Sequence, residues 1–203
     1  MYFSKTPNNI LMLQAKQAFT NKIGIAILAV LTVAIINGIL SRIPFIGGIL
    51  ILALSGAFMV GLSKFYLNII RNKDVQITEI FSGFEGANFI TNVIAGVLVF
   101  IFTLLWSLLF IIPGIIKYYS YSMTTYILAE DKSILATQAI DKSKQMMEGN
   151  KMKLFILDCC FAGWFLLGIV TAGLGFIYVL PYFITARAKF YEDLKQNPAI
   201  ISY

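Results

Sequence analysis

Residues 106–131 read WSLLFIIPGIIKYYSYSMTTYILAED, and this stretch decides the fold class. A long apolar run ends here, a tight turn is expected at Pro113-Gly114, and the chain returns from Ile115 to about Ala129. Apolar passages on both sides of a turn read as a membrane hairpin. The returning helix is unusual, because Tyr118, Tyr119, Ser120, Tyr121, Ser122, Thr124, Thr125 and Tyr126 crowd behind Lys117. A hydroxyl buried without a partner costs about 1–3 kcal/mol. This helix is therefore expected to face other helices or a wet crevice rather than acyl chains all round.

Composition agrees with that reading. The chain has 203 residues, of which 59% are hydrophobic and 13% charged, whereas a soluble domain carries about a quarter charged residues. Histidine is absent, which removes the commonest general base and metal ligand. Cys159 and Cys160 are adjacent in an apolar run. Side by side on a helix they point apart, so they read as reduced, small packing residues, and nothing completes a metal site around them. No cofactor is implied.

Working outward, residues 1–22 carry Lys5, Lys16 and Lys22 and no acid. Ile10, Leu11, Leu13, Ala15, Ala18 and Phe19 recur at helical spacing, so an amphipathic helix on the inner membrane surface is expected. A cleavable signal peptide is not, since the apolar run starts late and is too long. Ile23–Leu40 is long enough to span, and after IPFIGG a second span runs to about Leu62, with Ala53, Ala57 and Gly61 as a small-residue packing seam. DVQITEIFSGFEGANF reads as a short amphipathic helix, and a third span follows from Phe89 to Ile112. After the hydroxyl-rich fourth, Ser133 is the expected N-cap of another amphipathic helix that stops at Gly149. Spans five and six cover about Leu154–Thr171 and Leu174–Ala186, and a charged tail closes the chain.

The expected fold is thus all-α: a single integral membrane domain over 1–203, a polytopic helix bundle with six transmembrane helices as three hairpins, about 23–62, 89–129 and 154–188, with amphipathic surface helices between them. AKQAFTNK and SKQMMEGNK resemble each other at the ends of two amphipathic segments, which points to an internal repeat. If the three turns lie outside, only Arg42 and Lys117 face outward, so both termini are expected in the cytoplasm. The net charge of +6 then marks the cytoplasmic face and points to anionic lipid heads, not nucleic acid.

Asp158, about two turns into the fifth span, is the sharpest candidate for function. It either lies on a proton or ion path or pairs with Arg187, which an antiparallel hairpin about Gly173 brings to nearly the same depth. Lys117 beside the tyrosines reads as a snorkelling lysine or as a cation for a substrate. Tyr118, Tyr121, Ser122 and Thr125 either line a solute path or bond to neighbouring helices. Acid pairs, a Ser-Lys arrangement and phosphate-binding loops are all missing from the sequence, so no catalytic residue is named.

LWSLLFIIPGIIKYYSYSMTTYILAED, AIDKSKQMMEGNKMKLFILD and LPYFITARAKFYEDL together resemble a family of uncharacterised integral membrane proteins of mainly Gram-positive bacteria, classed as a domain of unknown function. The resemblance implies six spans in a bacterial cytoplasmic membrane and carries no assigned activity or site residues. More distantly the pattern is similar to the membrane domain preceding some glycerophosphodiester phosphodiesterases, whose catalytic domain has no room here.

The first functional expectation is a non-enzymatic protein of the bacterial envelope, protecting the membrane, conferring peptide immunity, or binding a lipid, peptide or membrane-protein partner. The alternative is a small transporter or channel lined by the fourth helix, and an intramembrane lipid-modifying enzyme stands third. A homo-oligomer is compatible with each.

Overall fold

The computed structural model describes residues 2–44, 46–86 and 88–197. These form ten α-helices: α1 (Asn8–Asn21), α2 (Ile23–Leu40), α3 (Gly47–Ile70), α4 (Asn88–Leu109), α5 (Ile111–Tyr121), α6 (Thr124–Glu130), α7 (Ala136–Met147), α8 (Lys151–Cys159), α9 (Ala162–Val170) and α10 (Phe176–Gln196). A 3₁₀ segment, Ile77–Phe84, links α3 to α4, and no strand occurs among the described residues. Four stretches are long and apolar enough to cross a membrane: Ile23–Leu40, Gly47–Ile70, Asn88–Leu109 and Lys151–Val170, the last bent where α8 meets α9.

The two other expected spans take a different form. The hydroxyl-rich helix is split into α5, 11 residues, and α6, 7 residues. α10 is 21 residues long but carries Arg187, Lys189, Glu192, Asp193 and Lys195 in its second half. The expected charged tail is therefore a continuation of α10, and Ala188, Phe190, Tyr191 and Leu194 are buried because their helical spacing gives it an apolar face. The turn before α5 also differs from expectation. It falls at Phe110, and Pro113 lies in the first turn of α5, where its missing N–H leaves no bond unmade. Gly114 lets α5 close on α4, since a Cβ there would overlap Ser107.

Helix contact depends on small residues, as it must where lipid supplies no hydrophobic drive. α3 and α4 cross backbone to backbone at Gly56 and Gly96. The Ala57–Gly61 part of the small-residue stripe receives the 3₁₀ segment: side chains at Gly61 or Gly83 would overlap the Ile80 and Ala57 carbonyls. The Asn92 amide ties the junction by donating to the Gly83 carbonyl at 2.8 Å.

α1 is docked into the bundle. Leu11, Ala15, Ala18 and Phe19 turn inward while Ile10 and Leu13 face out, so the expected apolar face is divided between two surfaces. Phe19 stacks on Tyr182 of α10, whose hydroxyl donates to the Met12 carbonyl at 3.1 Å. Asp193 of α10 accepts from the Ser4 and Thr6 hydroxyls and fixes the chain before α1. Ser133 does not cap α7. Its N–H and hydroxyl both donate to Asp131, forming a turn, and α7 starts at Ala136 with the Leu135 N–H bonded to Gln138. Cys159 and Cys160 are free and exposed at the α8–α9 bend, where outward-facing positions need no packing partner.

α5 and α8 border one groove. Lys151, Met152 and Phe155 share an apolar groove of about 230 Å³ with Ile112, Ile115 and Ile116.

Candidate functional site

The interruption between α5 and α6 is held by one side chain from α7. The buried Ser143 hydroxyl donates to the Ser120 carbonyl at 2.8 Å and accepts the Met123 N–H at 3.1 Å. A single hydroxyl thus satisfies both a donor and an acceptor that an unbroken helix would have paired internally. The Ser122 hydroxyl also turns back, donating to the Tyr119 carbonyl at 2.8 Å.

On one side of this break lies an ion pair. Arg187 of α10 grips Asp158 of α8 through two nitrogens: Nε donates to Oδ1 at 3.1 Å and Nη2 to Oδ2, with both side chains 14% exposed. The Tyr119 hydroxyl donates to Asp158 Oδ2 at 3.0 Å, and Arg187 Nη1 donates to the Tyr118 hydroxyl at 3.1 Å. The guanidinium carbon lies 4.8 Å from the Phe183 ring centre, a cation–π contact. The clasp therefore forms, and it joins three helices rather than two: α5, α8 and α10.

On the other side is a cavity of about 270 Å³ between α3, α4 and α5–α6. Gly56, Met59 and Val60 wall it from α3, Asn92, Val99 and Thr103 from α4, and Tyr118, Tyr121, Thr124 and Thr125 from α5–α6. Its surface is mainly apolar, and Met59 and Phe100, both exposed, mark its opening on the side that would face lipid. The buried hydroxyls of Thr103 and Thr124 have no hydrogen-bond partner. A helical threonine ordinarily donates to the carbonyl four residues back. For Thr124 that carbonyl belongs to Ser120, which already accepts from Ser143.

A second ionic cluster closes the charged ends of α3, α6 and α10. Arg71 bonds to Glu130 and, at 2.6 Å, to Glu192. Glu130 also accepts from the Tyr191 hydroxyl at 2.8 Å and from Lys195 at 2.9 Å. Burial works to raise the Glu130 carboxyl, but the hydrogen bonds from Lys195, Arg71 and Tyr191 outweigh it and hold it below its ordinary range.

The structure divides the sequence candidates between these places. Asp158, Arg187 and Tyr118 meet at the clasp, and Tyr118 also borders the cavity. Tyr121 and Thr125 line the cavity, Thr125 accepting from Ser63 at 2.9 Å. Ser122 serves the helix break, and Lys117 lies 4.7 Å over the Trp106 ring, away from both. Sequence reasoning missed Thr103, Asn92 and Ser143. Each sits singly in a segment whose bulk pattern is apolar or amphipathic, and only the small residues Gly56 and Gly96 beside the cavity offered a signal.

Residues 110–198 match the family described as "Protein of unknown function (DUF975)". The matched part begins at the α4–α5 turn and holds the helix break, Ser143 and every member of the clasp. The facing cavity wall, from α3 and α4, precedes it. No curated protein and no solved structure matches the chain.

Proposed function

We propose that this is a non-enzymatic protein of the bacterial cytoplasmic membrane that binds the apolar chain of a membrane lipid in the cavity between α3, α4 and α5–α6, in an envelope-protective role. The observation that carries the reading is the cavity itself. It has the apolar walls and few convergent polar groups of a ligand site, and it opens toward the lipid-facing surface. In this reading the bundle makes six passages, with α5–α6 and the first half of α10 completing the four long apolar stretches, three hairpins related as an internal repeat, and both termini in the cytoplasm. One further feature supports the membrane-embedded end of it: Leu108, Leu109, Phe110, Ile111 and Ile112 form an exposed apolar tip with no charge among them.

The test is native mass spectrometry of protein extracted in mild detergent. Val99→Trp places an indole in the cavity and is expected to lower retained lipid by steric exclusion of the ligand chain, without lowering the melting temperature because the cavity has room for the ring. Equal lipid retention by the variant and the wild type would remove the reading.

A second reading, transport, draws on the interrupted helix beside the cavity, since broken helices in transporters place polar backbone at a substrate site. It requires that Asp158→Asn abolish solute flux in reconstituted vesicles while the protein stays folded. The engagement of both Asp158 oxygens by Arg187 and Tyr119 favours lipid binding over this alternative.

A further inference from the structure

The cavity continues toward the charged end of the bundle. Val60, Asn92 and Leu128 border both the cavity and a narrow void of about 10 Å³ beyond it, and Lys64 and Ala129 border both that void and an open cleft of about 330 Å³. Val60, Lys64 and Asn68 succeed one another at four-residue steps on α3, one helix face and about 6 Å per step. The cavity, void and cleft therefore lie end to end along the seam of α3 and α6.

Their chemistry changes along the way. The cavity is apolar, whereas the cleft is polar and lined by Lys64, Asn68, Arg71, Lys73, Glu130 and Lys195. Glu130 and Glu192 engage Arg71 and Lys195, and Glu79 accepts from Asn68 at 2.6 Å, so the carboxylates around the cleft are taken up by Arg71, Lys195 and Asn68. Lys64 and Lys73 have no carboxylate partner among the described residues. At the narrow junction the Ser82 hydroxyl, 7% exposed, borders the void and also lacks a partner. Such a row presents an apolar slot, a buried hydroxyl donor and two unpaired ammonium groups in sequence.

We propose that the cleft binds the phosphate of an anionic phospholipid, Lys64 and Lys73 holding the phosphate and an acyl chain lying in the cavity, with the narrow junction, closed to about one water's volume, opening so that Ser82 donates to an ester oxygen. This rests on the lipid-binding reading above and adds the headgroup class to it. Ammonium groups act as point charges on phosphate, and each basic residue near an anionic lipid surface contributes about 1 kcal/mol.

The test measures binding to the purified full chain by native mass spectrometry, with phosphatidylglycerol, phosphatidylcholine and inorganic phosphate as separate probes. Phosphatidylglycerol is expected to bind about thirtyfold more tightly than phosphatidylcholine, the yield of two such lysines. Lys64→Gln with Lys73→Gln should abolish the preference, weakening phosphatidylglycerol far more than phosphatidylcholine, whose choline cation already offsets its phosphate, and raised salt should erode the preference in the unaltered protein. Equal affinity for the two lipids, lost in Val99→Trp, would overturn the headgroup assignment and spare the cavity. Inorganic phosphate binding that depends on the two lysines, with no preference between lipids, would make the cleft a site for free phosphate and overturn the proposal. Lipid preference that persists in Val99→Trp would keep the headgroup site and overturn the cavity. The salt series reads the unaltered chain, so a variant that fails to fold still leaves the assignment open to refutation.

Discussion

The Asp158–Arg187 clasp and the neighbouring cavity share Tyr118, yet they treat polar atoms in opposite ways. At the clasp both carboxylate oxygens and all three guanidinium nitrogens have partners. In the cavity the Thr103 and Thr124 hydroxyls have none. A fully partnered buried network fixes geometry, and breaking it is costly. Orphaned donors lining an apolar cavity lower stability and gain a role only when something enters. The difference separates what holds the fold from what is left to receive a ligand, and both sit within a few residues of one interrupted helix.

The largest effect is expected at the clasp. Asp158→Ala leaves Arg187 buried without a counter-charge and is expected to destabilise by about 3–5 kcal/mol. Asp158→Asn combined with Arg187→Gln should recover part of that loss. Thermal melts in nanodiscs read both, and an unchanged melting temperature in Asp158→Ala would mean the pair is no clasp. Flux lost without any change in stability would transfer Asp158 to the transport reading.

The Glu130 cluster gives an intermediate effect. Its folded-state carboxyl is held below the ordinary value, so its contribution is full above the unfolded carboxylate range near pH 4.5 and is lost as pH falls through the lowered folded value. Melting temperature should therefore drop below about pH 4.5, and Glu130→Gln should flatten that part of the curve. A Glu130→Gln curve that parallels the wild type would show that the cluster adds nothing in membranes.

Thr124→Val should have the smallest effect. It replaces an orphaned hydroxyl with a methyl of similar shape and is expected to be neutral or stabilising, by less than about 1 kcal/mol. A clear loss of stability by thermal melt would show that the hydroxyl has a partner after all, and the contrast with the clasp would shrink.

How much of this could be read in advance differs residue by residue. Asp158 and Arg187 were legible because equal spacing from the Gly173 turn fixes equal depth, and a charge in an apolar setting seeks its opposite. The hydroxyl run was legible as a helix that must face inward, and Tyr118, Tyr121 and Thr125 do reach the cavity. The break within that run was not. It depends on Ser143 of α7, 20 residues after Met123 and 23 after Ser120, presenting one hydroxyl to two backbone groups.

From the sequence came an all-α chain and six expected spans, of which four are helices long and apolar enough for a membrane, because length and hydropathy are properties of a segment taken alone. The sequence also determined that glycine and alanine positions would carry close helix contacts. Tertiary structure alone decided which elements those contacts join. The stripe ending at Gly61 met a 3₁₀ segment instead of another long helix, α10 was buried past its expected end, and the walls of the cavity came together from α3, α4 and α5–α6. Packing partners are fixed by the shapes of surfaces far apart in the chain, and local periodicity holds no record of which distant surface will fit.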